Sequence, residues 1–150
     1  SSASRAAAAA GGVLARAPAD RLTALMAALG GKPATDWLRR PEIGAVMTRG
    51  RAGGTGDAFT LGEMTVTRCA LRLKDHVGIV GHAYVQGRDV AKAEAAALAD
   101  AMLQCEAYAG SVRAAVVEPL RAEEAARRLR ARRKAGATKV DFFTMVRAEG

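Results

Sequence analysis

The hydrophobic period changes twice along this chain, and this change constrains the fold more than any other feature. From Pro18 to about Leu29, apolar residues recur every three or four positions, as they do on one face of a helix. Between Ile43 and Gln86 they alternate, which is typical of half-buried strands, and after Gly87 the helical period returns. We therefore expect an α+β fold in which a small antiparallel β-sheet of about three to four strands is packed with helices.

Three segments of the centre are predicted to be strands: AVMTR, LGEMTVTRCALRL and VGIVGHAYVQ, with a turn at KDH before the last. In the second segment Met64 and Val66 share one face, whereas Cys69 lies on the other. A regular strand keeps its apolar residues on one face. The change of face therefore predicts a bulge or bend near Thr67 and Arg68.

The segment before the sheet is predicted to be helical. Residues 1–17 are dominated by alanine and glycine, so we expect a flexible or weakly helical lead-in to the first helix. A second, short helix is predicted from Pro33 through Leu38. There Trp37 stands beside two arginines, which allows a cation-π platform, but we favour the commoner role of a core anchor.

Two longer helices are predicted after the sheet. Asp89 is a good N-cap for the first, whose apolar residues trace one stripe. After a loop around Gly110 and Ser111, Pro119 can open the last helix, and Gly136 is expected to end it.

Composition limits the class of protein. The chain is most simply one domain spanning residues 1–150, half of them apolar but only 4% aromatic. A core of such small side chains favours close helix packing, or a partner that completes it. Twenty-three basic against fifteen acidic residues give a net charge of +8, which suits an anionic partner. A GC-rich genome would also enrich alanine, arginine and glycine.

Signals for a membrane or a disulfide are not visible in the sequence. No run approaches the roughly 18 consecutive apolar residues that a spanning helix needs, so we expect no membrane association. The two cysteines lie far apart without a CxxC pair, which implies neither a disulfide framework nor a metal site. A reducing cytoplasm fits this pattern, and we expect a cytoplasmic protein.

The stretch GRAGGTGDAF places four glycines within seven positions, beside Arg49 and Arg51. Its spacing matches neither the dinucleotide-binding motif nor the P-loop, and a strand rather than a helix is predicted after it. Two interpretations remain. The backbone amides of Gly53, Gly54 and Gly56 could form a small anion nest beside the arginines, or the loop is a plain hairpin or a partner contact.

No catalytic residue can be assigned from the sequence. His76 and His82 lack metal-ligand spacing; we expect His76 to be solvated in a turn and His82 to be a core or interface residue. The acidic residues are scattered, and no set of nucleophile, base and orienting group can be defended.

The basic run RRLRARRK, over residues 127–134, is the strongest electrostatic feature. It could contact nucleic-acid phosphates. However, proteins that bind single strands usually add stacking aromatics, and none interleave here. A solvated or protein-facing helix is therefore favoured, and a nucleic-acid partner is not expected.

The tail KVDFFTMVR carries Phe142, Phe143, Met145 and Val146 close to the end of the sequence. So much apolar surface is expected to dock, either on the domain's own core or on a partner. We favour a partner, because buried aromatics carry a large share of binding energy.

Three segments together resemble a known family. GGTGDAFTLGEMTVTRCALRL, GHAYVQGRDVAKAEAAALADAM and VDFFTMVRAEG are similar to the PhnG family, the G subunit of the bacterial carbon-phosphorus lyase core complex. The resemblance extends from about Asp20 onward, and the alanine-rich start has no clear counterpart.

The resemblance implies a part in organic phosphonate catabolism. Proteins of this family assemble with the H, I and J subunits and act with the L subunit. The assembly forms α-D-ribose 1-methylphosphonate 5-triphosphate from MgATP and methylphosphonate. The J subunit, with S-adenosylmethionine and an iron-sulfur cluster, later cleaves the carbon-phosphorus bond. No cofactor is implied for the G subunit itself, and no catalytic residue carries over to this chain.

An accessory subunit of that complex is thus the expected function. Phe142, Phe143, Met145 and Val146 are expected to anchor it to a neighbouring subunit. Arg49, Arg51 and Arg88, with the loop glycines, are the candidates for contact with triphosphate or phosphonate. The alternatives are a stand-alone basic module that binds nucleotide or nucleic acid, and an independent small enzyme.

Overall fold

The computed structural model describes the backbone of residues 10–51 and 58–149, and the side chains of residues 10–47 and 62–137. The elements, in chain order, are α1 (10–16), α2 (Ala19–Ala28), β1 (Thr35–Arg51), β2 (Ala58–Leu73), β3 (Val80–Gln86), α3 (Val90–Leu103), α4 (Glu106–Val112) and α5 (Glu118–Glu149). A π-helical turn, Arg113–Val117, joins α4 to α5. None of the described helices is long and apolar enough to cross a membrane.

The three strands form one antiparallel sheet in the order β1-β2-β3. This confirms the predicted α+β class. The β1–β2 pairing runs from Thr35 opposite Leu73 to Arg51 opposite Ala58. The stretch of β2 that pairs with β3 is shorter and covers only residues 66–72. Beyond it β1 and β2 continue as a two-stranded ribbon.

The core lies between one face of the sheet and the described helices. Alternate residues of β2, among them Cys69 and Leu71, and of β3, among them Ala83 and Val85, point into it. Leu22 and other residues of α2 meet them there, and the alanine stripe of α3 completes the contact. Trp37 packs against this core from β1, which confirms its role as a core anchor.

Helix α3 crosses β3 at very short range. A Cβ atom added to Gly81 would collide with the carbonyl oxygen of Ala97 and lie 2.8 Å from the backbone nitrogen of Ala101. Ala93, Ala97 and Ala101 are all fully buried. The helix begins as predicted at Asp89, whose carboxylate accepts the Lys92 backbone N–H at 3.0 Å. Small side chains thus allow the helix to lie close to the sheet.

Of the two alternatives predicted for the lead-in over residues 1–17, weakly helical is correct and flexible is wrong for residues 10–16. Residues 10–16 form helix α1, and Val13, Leu14 and Ala17 are buried in the core. The Lys92 ammonium donates to the Ala15 carbonyl at 2.7 Å, which satisfies an acceptor at the end of α1. The sparse large apolar residues suffice because α1 packs on a core that distant segments supply. Residues 1–9 lie outside the described part.

The short helix predicted from Pro33 through Leu38 is also wrong, because β1 begins at Thr35. Pairing with β2, including Trp37 opposite Leu71, overrides the weak local preference of so short a segment.

The predicted bulge near Thr67 and Arg68 is not found in β2. The register between β2 and β3 is unbroken over residues 66–72. The bulged residues, which have no single partner on the neighbouring strand, lie instead in β1, where the register with β2 shifts between Trp37 and Glu42. The apolar parity changes because Val66 faces away from the helices, opposite Gly44, while Cys69 faces them.

Two predicted breaks in the C-terminal half are absent. The segment around Gly110 and Ser111 is helical within α4, and α5 continues through Gly136 to Glu149. Glycine inside a helix costs only about 1 kcal/mol relative to alanine, so a single glycine does not end a helix among good helix formers. The backbone of the apolar tail therefore belongs to α5.

Candidate subunit interface

The β1–β2 ribbon is the first surface that the described residues leave partly uncovered. Its outer part consists of two strands only, and an isolated two-stranded hairpin is marginally stable in water. Ile43 and Met47 on β1 are 43% and 54% exposed, although both are large and apolar. Strand β1 is an edge strand of the sheet, and such edges are available for pairing.

The face of the sheet opposite the helices is the second such surface. Leu38 and Tyr84 are 55% and 52% exposed there. Together with Arg39, Arg68 and His82 they border a shallow depression of about 580 Å³. We call this surface the open face. An aromatic ring and a leucine surrounded by arginines are the residue types that interfaces favour.

Acidic residues on the open face are shared between cations. Glu42 lies 3.6 Å from Arg39 and 3.5 Å from Arg68, while Asp36 lies 3.2 Å from Arg72 and 3.6 Å from Lys74. Because these pairs are exposed, each is worth only about 0–1 kcal/mol to the fold. The remaining positive charge suits a partner surface that carries carboxylates.

Helix α5 is the third surface. Among the described side chains of α5, Leu120 is the last that is fully buried, and beyond Ala125 every described side chain to residue 137 is exposed, including Leu129 at 41%. A helix that is polar on all sides needs contacts other than a hydrophobic core. This finding agrees with the prediction of a solvated or protein-facing helix.

The base of α5 is held to the N-terminal helices by carboxylates. Glu123 pairs with Arg21 at 2.9 Å, and Glu124 pairs with Arg16 at 2.7 Å and with Arg128 at 2.8 Å. The hydrogen bond from Arg16 is the main reason that the pKa of Glu124 lies below its usual value. These contacts orient the first turns of α5.

Two titratable groups, the half-buried Asp100 and the buried Cys69, lie on the helix side of the sheet rather than on these surfaces. The Asp100 carboxylate accepts the backbone N–H of His82 at 2.9 Å, and burial raises its pKa. The Cys69 thiol donates to the Ala93 carbonyl at 3.3 Å, and burial raises its pKa to about 11. A thiol of that kind is a poor nucleophile near neutral pH. Asp100 thus connects α3 to β3, and Cys69 connects β2 to α3.

The histidines also lie apart. His82 is exposed on the open face, while His76 is half-buried with its ring edge-on to Tyr108 at a centroid distance of 5.7 Å. His76 is therefore less solvated than predicted. Within the described residues, no three His, Cys, Asp or Glu side chains come together in a way that could hold a metal ion.

Comparison with known proteins supplies the family. The family model described as "Phosphonate metabolism protein PhnG" matches residues 4–148. The α-D-ribose 1-methylphosphonate 5-triphosphate synthase subunit PhnG of Rhizobium meliloti (strain 1021) is 46% identical over 142 residues, which cover 91% of this chain and 86% of that protein. This chain belongs to the PhnG family.

The family match extends further than the sequence motifs indicated. It begins at residue 4, so the alanine-rich start has a counterpart in the PhnG family, contrary to expectation. The structure gives a physical reason, because α1 contributes Val13 and Leu14 to the core.

The candidate anion-binding residues of this PhnG family member lie at two places along β2. Arg49 pairs with Thr60 and Arg51 with Ala58, at the outer end of the ribbon. Arg88 follows Gly87, whose N–H donates to the Thr65 carbonyl. At ~3.3 Å per residue, Thr65 and Ala58 are about 23 Å apart. The side chains of Arg49 and Arg51, and the glycines Gly53, Gly54 and Gly56, lie outside the described part.

The candidate anchor residues Phe142, Phe143, Met145 and Val146 belong to the helical backbone of α5, and their side chains are likewise outside the described part.

Sequence reasoning missed the open face of this PhnG family member. The sequence predicts Leu38 in a short helix and Tyr84 within the strand VGIVGHAYVQ, without a surface that joins them. A signal was present, since Tyr84 alternates with the buried Ala83 and Val85. Only the one-sided packing of the helices shows which of the two faces is uncovered.

Proposed function

We propose that this chain is an accessory, non-catalytic subunit of an α-D-ribose 1-methylphosphonate 5-triphosphate synthase in organic phosphonate catabolism. The observation that carries the proposal is the 46% identity, over 91% of the chain, to a subunit of that synthase. Its partners are the H, I and J subunits, with the L subunit acting alongside them in the cytoplasm. MgATP and methylphosphonate are the substrates of the assembly, and S-adenosylmethionine and the iron-sulfur cluster belong to the J subunit.

The three uncovered surfaces support a role within an assembly. The ribbon, the open face and α5 expose large apolar or basic areas, which neighbouring subunits would cover. The interior titratable groups support the accessory role, because Cys69 and Asp100 are engaged in packing contacts. Chemistry in the assembly would then depend on residues of the other subunits.

The tail of α5 is the proposed anchor. Positions 142, 145 and 146 are spaced by three and four residues, so a helical tail places them on one stripe. A single stripe of this kind fits an apolar groove on a partner. The anchor stripe would lie beyond the exposed basic part of the helix, at the end farthest from the core.

Co-purification tests both the function and the anchor. The tagged chain, expressed with the other synthase genes, should retain the H, I and J subunits and restore growth on methylphosphonate to a strain that lacks its own G subunit. Failure of both results would overturn the proposed function. The double variant Phe142→Ala, Phe143→Ala should lose the partners, whereas Val77→Ala, at an exposed apolar residue in the turn before β3, should keep them. If both variants retain the partner subunits, the anchor hypothesis is wrong, whereas the proposed function is unaffected.

The ribbon arginines are the proposed contacts with triphosphate or phosphonate at a site shared with neighbouring subunits, together with the loop glycines and, farther away, Arg88. The variant Arg51→Ala should assemble normally and support slower growth on methylphosphonate. Normal growth of an assembled Arg51→Ala variant would contradict this contact.

A further inference from the structure

A groove of about 470 Å³ lies between α1 and the base of α5, away from the sheet and from the ribbon. Four arginines line it, namely Arg16 from α1 and Arg121, Arg128 and Arg132 from α5. Its size falls within the range of small-molecule sites, about 300–1,000 Å³. The ribbon, the open face and the proposed anchor do not line this groove, whereas Arg128 and Arg132 belong to the exposed part of α5.

The charge of the groove is unbalanced. Glu124 is the carboxylate that lines it, against the four guanidinium groups. Arg121 is also paired with Glu118 at 2.6 Å, and Arg128 with Glu124 at 2.8 Å. Among the described side chains, Arg132 has no ion-pair partner within 4.0 Å. An excess of positive charge in a concave site attracts anions.

The guanidinium groups are held in place before any ligand arrives. Glu124, only 13% exposed, accepts from Arg16 Nε at 2.7 Å and is 2.8 Å from Arg128 Nη2. The Arg16 guanidinium group also lies close to Gly12, where an added Cβ atom would come within 2.9 Å of Nη1. Each of these arginines keeps further N–H donors that Glu124 does not use. The carboxylate thus positions two donors toward the groove.

The arginines of α5 follow one helical stripe. Arg121, Arg128 and Arg132 are spaced by seven and four residues, so they lie in a row along the groove. At 1.5 Å per residue, this row is about 16 Å long. A single phosphate could meet only part of it, whereas a chain of linked phosphates can meet several guanidinium groups at once. Guanidinium groups match phosphate oxygens with paired hydrogen bonds.

We propose that the groove between α1 and α5 binds an oligophosphate group, with Arg16, Arg121, Arg128 and Arg132 as the donors. None of the described residues that line it is aromatic, so the groove offers no stacking platform for a base. The recognised element is the phosphate chain, whether it comes from inorganic triphosphate or from a nucleoside triphosphate. The inference is drawn from the groove alone and does not rest on the proposed function.

Calorimetric titration of the full chain with inorganic triphosphate tests this site, and the helix offers a matched control. The groove variant replaces Arg121, Arg128 and Arg132 by glutamine. The control variant replaces Arg127, Arg130 and Arg133, which are on the same helix but do not line the groove. Both variants lose the same charge. We expect the groove variant to bind at least tenfold more weakly than the wild type, and the control to stay within threefold.

Further titrations identify the source of the phosphate. ATP should bind within about tenfold of inorganic triphosphate if the phosphate chain is recognised, and each should be weakened by the groove variant. No binding of either ligand, equal weakening by the two variants, or binding of single-stranded RNA alone would overturn the proposal. If the groove variant loses helicity by circular dichroism, the single variant Arg132→Gln replaces it as the test, because Arg132 pairs with no described carboxylate. Arg132→Gln should weaken binding of inorganic triphosphate at least threefold, and unchanged binding would overturn the proposal.

Discussion

Of the described glycines, Gly81 is the one at which an added methyl group should destabilise the fold most. The added Cβ atom would collide with the Ala97 carbonyl oxygen and lie 2.8 Å from both the nitrogen and the Cβ of Ala101. Favourable contacts between carbon atoms are about 3.5–4.0 Å. Two of the three obstacles are backbone atoms of α3, so rotation of a side chain cannot relieve the collision. Helix α3 would have to move away from β3 by about 1 Å.

The expected loss of stability follows from that displacement. Overpacking of a core costs typically ~1–3 kcal/mol, and the backbone obstacles place Gly81→Ala at the upper end, about 3 kcal/mol. For a chain of this size, each kcal/mol lowers Tm by about 2–4 °C, so a loss of about 6–12 °C is expected. The buried Ala97, Ala101 and Met102 would also lose contact with the sheet as α3 moves.

Thermal unfolding followed by circular dichroism measures this loss, and Gly110→Ala provides the control. Gly110 is exposed inside α4, and nothing lies within 4 Å of a Cβ atom placed there. Alanine at that helical position should raise stability by up to about 1 kcal/mol. A Gly81→Ala protein that melts within about 2 °C of the wild type would show that α3 and β3 are not in such close contact.

Three remaining predictions concern titratable groups. The hydrogen bond from Arg16 lowers the pKa of Glu124, so this carboxylate stabilises the fold above its usual pKa of 4.5 and loses that effect as pH falls through the folded value. Glu124→Gln should therefore lower Tm at pH 7 and not at pH 2. A Tm difference between variant and wild type that is the same at both pH values would contradict the pairing. Burial raises the pKa of Asp100 from 3.8, so its stabilising effect is present in acid and lost as pH rises through the folded value. Asp100→Asn should raise Tm at pH 7 relative to the wild type, with the difference shrinking in acid, and a lower Tm at pH 7 would argue against desolvation as the cause. Burial raises the pKa of Cys69 to about 11, so thiol reagents at pH 8 should modify it only after unfolding. Rapid labelling of native Cys69 would refute its burial.

Local patterns predicted the elements that carry a strong period of their own. Helix α2, strands β2 and β3 and the Asp89 cap of α3 follow from spacing and capping residues, and the structure contains all of them. Short or weakly patterned segments were predicted less well. Residues 10–16 and Thr35 to Leu38 have little local preference, and contacts with distant segments decide their structure.

For the candidate surfaces too, the sequence shows the residue types, whereas the tertiary structure decides which residues come together. The basic residues of α5 are visible in the sequence as charge, but their grouping with Arg16 depends on how α1 packs against α5. Likewise the alternation around Tyr84 predicts a strand with two different faces, and it cannot show which face the helices cover. Arg88 and Arg51 were grouped by their charge, and the strand register separates them.

The sequence by itself determined the α+β class, the main helical and strand segments, the excess of positive charge and the resemblance to the PhnG family. Periodicity, composition and motifs are properties of neighbouring residues, so they can be seen without a fold. Only the tertiary structure decided the contact of Gly81 with α3, the open face of the sheet and the arginine groove beside Glu124. Each of these depends on the approach of segments that are far apart in the chain, and that approach is set by the packing of the whole core.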